Sequence, residues 1–196
     1  MNRFEEEIYH CMDPVAELLE VTEDPHHRAI LENYRRHVHL EGSGQFEKII
    51  APDMMVDEPV YRINWGEPSV IRGKEGVLEF YRSAGRYVMW NSEDRIAVAD
   101  WGLCDELTFN FLTTGEILAE FGIEVDDKGA HYHFTSRQAF VWPYDERARL
   151  IGEHLYVDET SVSVREVDPS EVVNPERARE IHLELLNRLE STRQQV

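Results

Sequence analysis

The chain has 196 residues, 42% of them hydrophobic and 10% aromatic, which suits one domain with a buried core and is too apolar for a disordered chain. Its formal net charge of −19 at pH 7 repels phosphate backbones and anionic bilayers, so neither nucleic acid nor a membrane surface is an expected partner. Two cysteines, Cys11 and Cys104, do not read as a disulfide framework or a zinc site, and with no apolar leader or membrane-length run a cytoplasmic protein is expected.

Residues 3–20 predict a first helix with Phe4, Ile8, Val15, Leu18 and Leu19 as its apolar positions, broken or restarted at Pro14. Asp24-Pro25 is a cap followed by proline at the first helical position. The helix it opens is expected to reach Glu41 and stop at Gly42-Ser43-Gly44, with Ile30, Tyr34, Val38 and Glu41 on one side. Tyr34 is then an inward phenol, either plain core or part of a pocket.

The stretch from Gln45 to Arg82 reads as short helix, strand, loop, helix. From Met54 to Val60 the even positions are Met54, Val56, Glu58 and Val60, so period-two alternation places a carboxylate among aliphatic neighbours. Such an acid either lines a cavity, where burial would raise its pKa and fit it as a general base, or reaches water or Arg62 or Arg72 at the strand end. Asp57 points the other way unless a bulge before Pro59 exchanges the two.

Gly73 to Gly85 is expected to be a helix with Val77, Leu78, Phe80 and Tyr81 inward. Strands follow at Arg95–Ala99, Leu103–Phe111, Ile117–Val125, His131–Trp142 and Arg149–Val157, with a hairpin turn at Asp126-Asp127-Lys128-Gly129. The segment from Val162 to Val173 reads as irregular, and Asn174-Pro175 opens a last helix carrying Ile181, Leu185, Leu186 and Leu189. Helices, then antiparallel strands, then a helix argue an α+β unit.

IAPDMMVDEP followed by IRGKEGVLEFYR resembles the cone-shaped α+β barrel superfamily named after nuclear transport factor two. Its members include ketosteroid isomerases, scytalone dehydratases, limonene epoxide hydrolases and SnoaL-type polyketide cyclases. The likeness covers Tyr34 to Arg82 and, loosely, LIGEHLYVD. It implies a curved antiparallel sheet wrapped around N-terminal helices, over residues 25–165, with a helical extension at 1–24, a tail and helix at 166–196, and a homodimer.

By the same resemblance Glu58 stands where the isomerases carry their base and Tyr34 where they carry an oxyanion-hole tyrosine. His39 falls near a pocket aspartate of the dehydratases. The second oxyanion donor of the isomerases is missing, since Phe140 or Trp142 takes the nearest register.

Further candidates come from the strands. His131 and His133 share a face and would bind a metal only with a third ligand from Glu58, Glu153 or His154; no metal is expected. On the last strand the loose match turns His154 and Tyr156 to the cavity, whereas hydrophobicity turns Leu155 and Val157 inward. Tyr61, Trp65, Tyr81, Phe140 and Trp142 supply apolar walls. The expectation is a cofactor-independent acid–base enzyme, a lyase, isomerase or cyclase, acting on a small apolar oxygenated molecule with Glu58 as base. The alternative is a non-catalytic binding or assembly protein of the same fold.

Overall fold

A computed structural model describes residues 1–84 and 87–193. Its elements are α1 (Arg3–His10), α2 (Asp13–Val21), α3 (Pro25–Gly42), α4 (Phe46–Ile49), β1 (Val60–Asn64), β2 (Ser69–Arg72), α5 (Gly73–Ala84), β3 (Val88–Ala99), β4 (Gly102–Thr114), α6 (Gly115–Glu120), β5 (His131–Pro143), β6 (His154–Glu166) and α7 (Pro175–Arg193). The strands form one six-stranded sheet in the order β2-β1-β6-β5-β4-β3, antiparallel except where β1 runs parallel to β6. It is a curved, unclosed α+β arrangement, as the sequence implies.

The caps act where they were read. Asp24 accepts hydrogen bonds from the amides of His26 and His27 at 2.8 and 3.0 Å, which fixes the start of α3. Gly44, at φ +74, ends it. Ile30, Leu31, Tyr34, His37 and Leu40 of α3 are buried. The core is continuous from Phe4 and Val15 through α3 and the sheet to Ile181 and Leu186 of α7, so both terminal helical segments share it. A smaller cluster of Phe111, Leu118, Tyr132 and Phe134 lies under α6.

Two expected strands are absent. Residues 54–58 do not form one: the amides of Met54 and Met55 both bond to the carbonyl of Ala51, and only isolated bridging ties Met55 to Leu150. The turn removes the alternation on which the inward placement of Glu58 rested. The expected strand at Ile117–Val125 is instead the helix α6 followed by a loop, because Leu118 packs into the small cluster at helical rather than alternating spacing. The Asp126–Gly129 turn therefore leads from that loop into β5 and joins no hairpin. Conversely β6 runs on to Glu166, through the start of the segment read as irregular.

No helix among the described residues is long and apolar enough to cross a membrane.

Candidate functional site

Between α3, α5, α7 and the concave face of the sheet lies a cavity of about 620 Å³. Its inner wall is built by Tyr34, Val38 and Glu41 of α3, Phe80 and Tyr81 of α5, Gln138, Phe140 and Trp142 of β5, and Glu153 and Leu155 at the start of β6. Trp65, Tyr87, Phe109, Phe121 and Glu120 extend it towards α6, while Ala178, Arg179 and His182 of α7 close another side.

Period two explains the sheet's share. Along β5 residues 132, 134, 136, 138, 140 and 142 are all buried, which turns Gln138, Phe140 and Trp142 to one face. Glu153, just before β6 and 5% exposed, and Leu155 within it point inward, while Tyr156 is 47% exposed. Gly152 lets this strand start close to β1, since a Cβ there would meet the carbonyl oxygen of Val60 at 1.9 Å. The close approach presents Glu153 to the interior rather than to the rim.

The polar groups fall into two sets. In the first, Tyr81 is central: its hydroxyl lies 2.7 Å from the Tyr61 hydroxyl, 2.8 Å from Nε2 of His37 and 3.3 Å from Oε2 of Glu153. His37 is 1% exposed, and burial pulls its pKa down to about 3, so the ring is neutral. Nδ1 of His37 has no partner. An orphaned acceptor is the cheaper arrangement, so the proton sits on Nε2 and is donated to Tyr81. Tyr81 then accepts from His37 and Tyr61 and donates its own proton to Glu153.

In the second set, Asp105 of β4, 4% exposed, accepts from the Tyr34 hydroxyl at 2.6 Å and from Nε1 of Trp142 at 3.2 Å. Burial raises Asp105 to about 6 against the opposing effect of those two donors. Asp105 stands behind the wall and holds Tyr34 and Trp142 in place, so the Tyr34 hydroxyl is spent within the protein.

Two carboxyls face the cavity itself with altered acidity. Burial pushes Glu41 up to about 7, although 24% of its side chain is accessible where it meets the cavity. Glu153 is held well above the ordinary carboxylate range, first by burial and then by the charge of Glu41, with the Tyr81 hydrogen bond opposing. Oε2 of Glu41 lies 3.8 Å from Nε2 of His37, near this network but outside hydrogen-bond range of it.

The sequence-based candidates divide sharply. Tyr34, Trp65, Tyr81, Phe140 and Trp142 line the cavity. Tyr61 is fully buried just behind Tyr81. Glu58 is exposed, on the bend before β1, with Oε2 beside Gly73 at the N-terminus of α5, where a helix end attracts an acid. Asp57 is exposed beside it and pairs with Lys74 at 3.1 Å. Neither lines the cavity. His39 is 2% exposed but turns to α7, with Nδ1 3.2 Å from Nδ1 of His182. His133 stacks on Trp90 and meets Oδ1 of Asn110 at 3.0 Å, away from the cavity, and His131 shares its face. His154 and Tyr156 face out, so hydrophobicity, not the loose motif match, reads β6 correctly.

Glu41, Gln138 and His182 are among the cavity residues that the sequence reading did not single out as candidates, and Glu153 entered it only as a possible third metal ligand. The alternation of Glu153 with Leu155 and Val157, and the place of Glu41 on the α3 stripe, were the available signals. No group of three or more potential metal ligands occurs among the described residues.

No family model matches the chain, and no curated protein sequence matches it. Solved structures do. A candidate polyketide cyclase from Xanthomonas campestris pv. campestris is similar with a TM-score of 0.50 and 11% identity, over 69% of this chain and 94% of that one. The epoxide hydrolase/cyclase-like enzyme SalBIII, described in pyran ring formation in the polyether salinomycin, gives 0.49 and 10%, over 69% and 95%. The first of these likenesses shows a shared fold, the curved α+β cone. Nearly a third of this chain has no counterpart in either.

Proposed function

We propose that this protein is a cofactor-independent acid–base enzyme acting on a small, largely apolar, oxygenated molecule in the cavity, with Glu153 and Glu41 as its proton-transferring groups. The observation that carries the reading is that two carboxyls lining one largely apolar cavity are both raised, Glu41 by burial and Glu153 by burial and then by Glu41. Paired acids whose environments separate them divide naturally into donor and acceptor. Glu41, balanced near neutrality, takes the proton. Glu153, more deeply enclosed, keeps its proton in the resting state and delivers it to the oxygen that gains charge. Tyr81 orients Glu153, while Asp105 keeps Tyr34 and Trp142 fixed as walls.

Elimination of water, double-bond isomerisation and aldol-type cyclisation each start from a proton removed beside a carbonyl, and each fits this pair. The likeness to cyclase-type proteins supports such chemistry at the level of the fold. The base of the reaction is moved from Glu58, which lies outside the cavity, to Glu41.

The test is hydrogen exchange in heavy water with 2-tetralone, whose bicyclic skeleton suits the cavity. The protein is expected to speed deuterium uptake next to the carbonyl, and Glu41→Gln to remove that effect. Undiminished exchange in Glu41→Gln and Glu153→Gln alike overturns the assignment.

A further inference from the structure

Several donors of the cavity wall are committed within the protein: Tyr34 and Trp142 to Asp105, Tyr81 within its network, Trp90 to Glu7 and Ser83 to the carbonyl of Phe80. The carboxyls of Glu41 and Glu153 face the same space, and 24% of the Glu41 side chain is accessible. A donor on a ligand placed there would meet an acceptor.

Charge leans the same way. Among the described lining residues, Glu41, Glu120 and Glu153 stand against one cationic side chain, Arg179. The chain as a whole carries −19. Glu41, which burial holds back from ionising, would ionise beside a bound cation, which supplies the missing counter-charge. The cavity lining is aromatic: Phe140 and Trp142 stack at 5.5 Å and 15°, and Phe80 and Tyr81 line it too. Ring faces attract organic cations once water is excluded.

We infer that the ligand of this cavity carries a protonated amine, paired with Glu41 beside Glu153 against the aromatic wall. This deepens the acid–base reading and rests on the same two carboxyls. Binding a cation would also deprotonate Glu41, so the substrate's own charge would set the base.

Calorimetry with a matched pair tests the inference. 2-Aminotetralin is cationic at neutral pH, and 2-tetralol has the same skeleton with a neutral hydroxyl. The amine is expected to bind at least tenfold more tightly, and to release protons on binding, read as a difference in heat between phosphate and HEPES buffers. The preference should collapse in Glu41→Gln/Glu153→Gln, with folding checked by circular dichroism. Equal or tighter binding of 2-tetralol, binding of neither compound up to millimolar concentration, or amine binding without proton release overturns it. These outcomes are separable from the catalytic reading: a retained amine preference with unaffected exchange in the single Gln variants would sink the acid–base mechanism alone. Loss of the preference with intact Glu41-dependent exchange would sink the cation alone.

Discussion

The Tyr81 hydroxyl reaches Oε2 of Glu153 at 3.3 Å while accepting from His37, so one phenol links a neutral buried histidine to a buried acid on the cavity wall. It is the contact that opposes the upward shift of Glu153. Replacing it separates what the site needs for folding from what it needs for acidity.

Tyr81→Phe is expected to raise the pKa of Glu153 further and to leave Tyr61 and His37 without their shared partner. Stability should fall by about 1–3 kcal/mol, the cost of unsatisfied buried groups. If 2-tetralone exchange is catalysed, its pH dependence should shift in this variant. An unchanged profile would detach Tyr81 from Glu153.

Glu153→Gln keeps the shape and removes the ionisable group. Turnover should drop roughly 10²–10⁴-fold, the usual contribution of a positioned acid or base. Stability should move the other way. The folded pKa of Glu153 is raised, so its contribution is fully present below the unfolded value and lost as pH rises through the folded one. The variant should therefore gain melting temperature relative to wild type in alkaline buffer and little in acid.

Asp94 on β3 offers a test of the same logic away from the cavity. Both its carboxylate oxygens are without a hydrogen-bond partner, and burial, then repulsion from Asp105, push it up to about 8. The folded state keeps this proton up to about 8 while the unfolded state gives it up in the ordinary carboxylate range, so stability declines across that window. Asp94→Asn should flatten the decline, as thermal unfolding at several pH values would show.

Gly42→Ala inverts a familiar rule. Alanine in a helix normally gains up to about 1 kcal/mol over glycine. At Gly42 a Cβ would lie 2.3 Å from Cδ2 of His182, in the packed seam between α3 and α7. A destabilisation of about 1–3 kcal/mol in denaturant unfolding is expected from the overpacking.

Glu58→Ala and Asp57→Ala should leave exchange activity unchanged and shift stability by no more than about 0.5 kcal/mol, as exposed substitutions do. This pair is also where sequence and structure part. The fold was legible because its signals were local: Asp24-Pro25, Asn174-Pro175 and the glycines after α3 act within one turn of chain. The cavity's walls were half legible, since Tyr34, Trp142 and Phe140 lie on α3 and β5, whose periodicity is regular. The acids were not. Alternation across residues 54–60 presumes a strand, and the turn at Ala51 cancels it through two backbone hydrogen bonds that no side-chain pattern announces. Glu153 reaches the interior because Gly152 allows β6 to close on β1, a contact between segments far apart in the chain.

The central claim is that the working acids are Glu41 and Glu153 on the cavity wall. Carbon-13 NMR titration of the glutamate side-chain carboxyls, assigned through Glu41→Gln and Glu153→Gln, measures it directly and needs no substrate. The account predicts a midpoint at about 7 for Glu41 and one well above the ordinary value of 4.5 for Glu153. Both carboxyls titrating at that ordinary value would contradict it.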